Sequence, residues 1–211
     1  FGAEFGYGRF QDAERSMDHY HWENSASIES WYGKLTGHFG ESSAVSAFYL
    51  KNVQGLDGNS VDPSIKGAHV HAWGAGATID LGDSGLNIDG DFIQTRGNRD
   101  LGHANLWTAG LNYGKVDLNK PGSFTLGVHY VRADAGAYLL GNSALDMTDQ
   151  LEYGWDNGTG VKFWVAKAGV AVQKNVELDA YYNFGAKAFD RYDDSTKDPA
   201  NTWGVELNYA F

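Results

Sequence analysis

Alternation with a period of two residues runs through this sequence, and it restricts the chain to strands with two unlike faces. In 203–211, Trp203, Val205, Leu207, Tyr209 and Phe211 fall on one side, and Gly204, Glu206, Asn208 and Ala210 on the other. In 176–187, Val176, Leu178, Ala180, Tyr182, Phe184 and Ala186 alternate with Glu177, Asp179, Tyr181, Asn183, Gly185 and Lys187. The same pattern recurs in 1–8, 31–39, 86–92 and 123–130, and more weakly in 67–81, 107–113 and 162–172. In 44–53 it does not decide which face is apolar. The sum is ten candidate strands covering about half of the 211 residues, against the 20–25% usual for soluble domains. No segment carries a 3.6-residue apolar period, so no helix is expected.

The connections alternate in length. Residues 40–43, 82–85, 116–122 and 173–175 are short and rich in turn formers, whereas 11–27, 54–66, 96–103, 134–160 and 190–201 are longer and polar. All three prolines fall in connections, where a missing N–H breaks no ladder. The expected architecture is therefore all-β: an antiparallel up-and-down meander in one domain over 1–211, with short turns at one end and long loops at the other.

A soluble sandwich also alternates, so the faces have to decide the environment. The polar faces carry Gly, Asn, Lys and carboxylates, which do not build a dry core. Aromatics gather at the ends of the apolar faces: Trp31 with Phe39, Trp107 with Tyr113, Phe124 with Tyr130, and Trp203. A strand of eight residues spans ~26 Å, or ~20 Å when tilted, close to the ~25 Å apolar band of outer-membrane barrels and their two aromatic girdles. An even strand number puts both chain ends on the short-turn side, as in those barrels. The reading that follows is a transmembrane β-barrel with its apolar face to lipid and its polar face to a lumen. Closure is expected, because hydrocarbon cannot satisfy a free sheet edge.

Composition narrows the classes further. A net charge of −11 speaks against a nucleic-acid partner. The absence of Cys excludes disulfides and Cys-ligated metals. No run approaches the ~18 apolar residues of a membrane helix.

At the C-terminus, Gly204, Leu207, Tyr209 and the terminal Phe211 resemble the assembly signal of bacterial outer-membrane β-barrels. The Gly- and aromatic-rich strands and acidic loops are similar to those of porins, including the S-layer-homology-domain porins of diderm Firmicutes; no S-layer-homology segment is present, so cell-wall tethering is not implied. The resemblance implies insertion by the barrel-assembly machinery into the outer membrane of a Gram-negative-type envelope. It also implies long loops outside the cell, a periplasmic C-terminus, a homotrimer, and passive diffusion of ions and small hydrophilic solutes. No cofactor is expected. Ten strands make a narrow interior, whereas 16–18 leave a water channel. The abrupt start at Phe1 therefore raises the expectation that these are the last ten strands of a barrel of about 16.

The expected pore-lining residues are Glu4, Lys34, His38, Asp80, Asp89, Asp91, Asn112, His129, Lys162, Lys167, Glu177, Asp179, Asn183, Lys187, Glu206 and Asn208. Carboxylates slightly outnumber lysines, so weak cation preference is expected; the alternative is that these charges only pair across strands. The 134–160 connection carries Tyr138, Leu139, Leu140, Leu145, Met147 and Trp155. That apolar content fits either folding into the lumen or a self-packed surface loop or subunit contact.

Two other function classes stay open. One is a barrel enzyme, protease or lipid-modifying, at the loop end. Its candidate groups are His19 and His21 beside Asp18 and Glu23, His69 and His71, and the loop acids Asp100, Asp190, Asp193 and Asp194. Each His-x-His supplies two of the ligands that a metal needs, and ordinary hydrogen-bonded histidines are commoner. No catalytic residues or metal are expected. The other class is a narrow adhesin or structural anchor.

Overall fold

The computed structural model describes residues 1–11, 28–40, 42–53, 69–97, 103–135, 137, 150, 151, 153, 154, 158–190 and 195–210. Ten strands form one sheet in strict chain order. They are β1 (Gly2–Gln11), β2 (Ile28–Phe39), β3 (Ser43–Asn52), β4 (Val70–Asp80), β5 (Leu86–Gly97), β6 (His103–Gly114), β7 (Phe124–Ala133), β8 (Gly160–Gln173), β9 (Val176–Phe189) and β10 (Thr202–Tyr209). Every neighbouring pair is antiparallel. All ten strands coincide with segments singled out by alternation.

The β2–β3, β4–β5, β6–β7 and β8–β9 connections lie at one end, called here the turn end. Their closures are local. Asp80 Oδ1 accepts the Gly82 N–H at 2.8 Å and starts the 3-10 turn Gly82–Ser84. Ser123 Oγ accepts from Asp117 N at 2.8 Å and donates to Asp117 O at 3.0 Å, which closes the β6–β7 connection. The other connections lie at the opposite, loop end. The β5–β6 connection shortens to 98–102, because both strands extend further than the pattern suggests.

No ladder joins β1 to β10: β1 pairs with β2 and β10 with β9. The sheet is open where the sequence reading expects closure.

Register fixes which side chains share a face. Glu4 stands opposite Lys34, Lys34 opposite Phe48, Phe48 opposite Gly74, Gly74 opposite Ile93, Ile93 opposite Leu106, and so on to Val161. This is the inward face. The outward face carries Phe5, Trp31, Tyr49, Trp73, Phe92, Trp107, Tyr130, Trp164, Tyr182 and Trp203, one aromatic from each strand. In β3, where the pattern was undecided, Val45, Ala47 and Tyr49 point outward and Leu50 is buried inward.

Besides a register shift between Arg9 and Gln11 in β1, two irregularities in the β8–β9 ladder bend the pattern. In β9 the pairs Lys162–Lys187 and Trp164–Phe184 leave one extra residue on β9, and Gly185 takes φ 64° there. Such a bulge shifts every later side chain to the other face. Ala186 is thereby buried inward at 5% exposure, not outward with Phe184. A second shift, between Ala171 and Gln173, lies beside the tight Lys174–Asn175 turn.

Candidate functional site: the inward face

The outward face is uniform between its two ends. From Trp107 to Tyr113 it reads Trp, Ala, Leu, Tyr; from Tyr130 back to Phe124 it reads Tyr, Val, Leu, Phe; from Trp203 to Tyr209 it reads Trp, Val, Leu, Tyr. No charged side chain interrupts this band on any of the ten strands. Its members are open to the surroundings: Trp203 is 71% exposed, Leu207 50% and Leu111 44%. Near the loop end the aromatics touch across strands, with ring centroids 5.5 Å apart for Trp31–Tyr49, 5.1 Å for Trp107–Tyr130 and 4.9 Å for Tyr130–Trp164. The expected girdle residues Trp31, Phe39, Trp107, Tyr113, Phe124, Tyr130 and Trp203 all lie on this face.

The inward face is the polar one toward the turn end. Fourteen of the expected lining residues are on it: Glu4, Lys34, His38, Asp80, Asp89, Asp91, Asn112, His129, Lys167, Glu177, Asp179, Asn183, Glu206 and Asn208. Lys162 and Lys187 are not. Lys162 has the same parity as Trp164 and faces outward with it, and Lys187 is carried outward by the Gly185 bulge. The correction changes the charge balance. Seven carboxylates (Glu4, Asp80, Asp89, Asp91, Glu177, Asp179, Glu206) remain against two lysines, Lys34 and Lys167.

The best-defined polar cluster sits on β5, β6 and β7. The Asn112 amide donates to Asn87 Oδ1 at 2.9 Å and to Asp89 Oδ1. His129 Nε2 stands 2.9 Å from Asn112 Oδ1, so it donates there. His129 Nδ1 lies 3.4 Å from Asp89 Oδ2, at ion-pair distance but without a hydrogen bond. Glycines make this possible. A Cβ on Gly110 would overlap the His129 ring, and one on Gly127 would overlap Asn112 Oδ1. The same fit recurs elsewhere on the inward face, where Tyr32 lies over Gly6, Phe48 over Gly74, Tyr181 over Gly204 and Asp179 over Gly169. These inward side chains therefore recline along the wall over the glycine of the next strand. At the rim Glu4 pairs with Lys34 at 3.8 Å, and Asn208 donates to Asp179 Oδ2 at 2.9 Å.

Toward the loop end the inward face of β6–β9 turns apolar, which sequence reasoning missed. Ala104, Leu106, Val131, Ala133, Val161, Phe163, Val165 and Ala186 form a buried cluster. Ala137, Leu151 and Tyr153, from the 134–160 connection, pack on it. Gln150 anchors that segment. It is 1% exposed, accepts from Asn183 Nδ2 at 2.9 Å, and donates to Ala200 O at 3.1 Å and Thr202 Oγ1 at 3.0 Å. Part of this connection thus lies against the inward face. The residues that drew attention in the sequence, Tyr138, Leu139, Leu140, Leu145, Met147 and Trp155, lie outside the described residues. The signal available in sequence was the run Val161, Phe163, Val165, which makes both faces of β8 apolar.

The assembly-signal positions divide by face: Leu207 and Tyr209 point outward, Gly204 lies under Tyr181, and Phe211 is outside the described residues. Of the enzyme candidates, His69, His71 and Asp190 are among the described residues. His19, His21, Asp18, Glu23, Asp100, Asp193 and Asp194 are outside the described residues. His71 faces outward, its ring tilted against that of Tyr49 with centroids 6.0 Å apart. Among the described residues no three His, Cys, Asp or Glu side chains converge as a metal site, and no helix is long and apolar enough to cross a membrane.

Neither known protein families nor curated proteins provide a match to this chain.

Proposed function

We propose that the chain is the wall, or part of the wall, of an outer-membrane porin that passes ions and small hydrophilic solutes. The supporting observation is the outward face: ten strands without one charged side chain between a continuous aromatic row at the loop end and Phe39, Tyr113, Phe124 and Tyr209 at the turn end. Water offers no reason to display such a band, and a bilayer requires one. In hydrocarbon the free edges of β1 and β10 must be paired. Ten is even, so the two edge strands run antiparallel, the orientation in which they pair with each other or with further strands of a larger barrel. Long loops then face outward from the cell and the turns face the periplasm. Insertion by the barrel-assembly machinery belongs to this reading through the tail with Gly204, Leu207, Tyr209 and Phe211, and trimeric assembly through the resemblance to porins.

The reclining inward side chains favour an open conduit, and the excess of inward carboxylates favours cations. The segment held by Gln150 narrows the conduit on the β6–β9 side. Planar-bilayer recording tests the reading. Stable open steps and a reversal potential of cationic sign in a salt gradient are expected; anion preference overturns the selectivity. Tight insertion without conductance replaces the porin with a narrow, plugged barrel, a reading that the apolar cluster under Gln150–Tyr153 favours. Hydrolysis of peptides or lipids by the inserted protein would point to the enzyme class.

A further inference from the structure

The outward lysines open a second surface. Arg132, Lys162 and Lys187 stand opposite one another across β7, β8 and β9. Each lies just loopward of an outward aromatic: Arg132 past Tyr130, Lys162 past Trp164, Lys187 past Phe184. A second group in register stands on β3 to β6, where Lys51 faces His71, His71 faces Arg96, and Arg96 faces His103, loopward of the first because Arg132 stands opposite Trp107. These are again loopward of the aromatic on their own strand. So seven consecutive strands, β3 to β9, each place a basic side chain loopward of the outward aromatic, at the next outward position on β3, β4, β7, β8 and β9 and one position further, past Gln94 and Asn105, on β5 and β6, and none within the apolar band. In a chain of net charge −11 this row is set apart by both sign and level.

We propose that this row binds the phosphate-bearing headgroups of anionic lipids in the leaflet at the loop end. The inference rests on the membrane reading above, since aromatic rows mark the headgroup level and basic side chains just beyond it meet lipid phosphate. A cleft of about 350 Å³ lies on this surface, lined by Phe92, Asn105, Trp107, Arg132 and Asp134. Acidic neighbours compensate only part of the row. Asp134 accepts from the Asn105 N–H at 3.0 Å and from the Asn105 amide at 3.1 Å, and stands 3.6 Å from Arg132. Arg132 also lies 4.4 Å over the Phe189 ring. Lys187 binds Asp198 at 2.8 Å. Lys51 and Lys162 have no acidic partner among the described residues.

Spin-labelled lipids provide the test, with the protein inserted in phosphatidylcholine vesicles containing either labelled phosphatidylglycerol or labelled phosphatidylcholine. Phosphatidylglycerol should associate several-fold more strongly, and the preference should fall toward parity at ~1 M salt, where screening is short-ranged. The variant Arg132→Gln/Lys162→Gln/Lys187→Gln should lose most of the preference, while Lys162→Arg/Lys187→Arg should keep it. Equal association of the two lipids with the wild-type protein overturns the inference and leaves the membrane reading intact. So does a preference indifferent to salt. Failure of the wild-type protein to insert even into pure phosphatidylcholine overturns the membrane reading, and this inference with it.

Discussion

Near the turns, the two sides of β6, β7 and β8 are chemical opposites. Leu111, Val128 and Ala168 point outward, and Asn112, His129 and Lys167 point inward. Near the loops the two sides are alike. Trp107, Tyr130 and Trp164 point outward, but Leu106, Val131 and Phe163 are apolar inward as well. The difference teaches what alternation measures. It reports what covers each face of a sheet, not strand character itself. Near the turns the inward residues are polar. Where the chain folds back, with Ala137, Leu151 and Tyr153 against the wall, the contrast disappears.

The largest expected effect tests the covered region. Phe163 is fully buried, so Phe163→Ala should destabilise the inserted protein by about 3–5 kcal/mol in urea titrations, whereas its outward neighbour Trp164→Leu should cost clearly less. Equal costs would mean that the inner cluster is not a packed core. Next comes charge on opposite sides. Leu111→Arg puts a guanidinium into the outward band and should cost about 2–4 kcal/mol in a bilayer. Thr78→Arg, inward beside Asp89, should stay within about 0.5 kcal/mol. A reversal of that order would invert the faces.

A smaller effect sharpens the role of the anchor. Gln150→Ala leaves the buried Asn183 amide with only Thr202. It should cost about 1–3 kcal/mol and speed hydrogen exchange at Ala137 and Leu151 before it affects β5. The smallest is Asp89→Asn, which removes one inward charge while keeping an acceptor for Asn112. It should move the reversal potential toward zero without changing stability by more than about 1 kcal/mol.

Much of this was readable from residue order alone. All ten strands, the turn end and the loop end follow from alternation and connection length, and the girdle residues from their spacing. Lys162 was readable too, since it shares parity with Trp164, but its charge drew it to the polar face. Lys187 was not, because its face depends on a bulge; the only local sign is a glycine inside a strand pattern, Gly185. The apolar inner cluster depends on residues far apart in sequence, such as Gln150 with Asn183 and Thr202, and such pairings leave no periodic trace. Edge pairing of β1 and β10 has no local signature either, since every strand alternates in the same way whether or not its outer neighbour exists.

The Gly185 bulge makes strand length, as much as residue identity, a chemical variable. If β9 paired without this bulge and kept all its residues, its tail would rotate half a turn: the ammonium of Lys187 would be pressed among Val161 and its greasy neighbours, and Ala186 would take the outward place. A buried lone ammonium is among the costliest things a fold can hold. Insertion of one residue between Gly185 and Lys187 would therefore damage this wall more than most exchanges of one side chain for another, whereas deletion of Gly185 itself would keep Lys187 outward opposite Lys162.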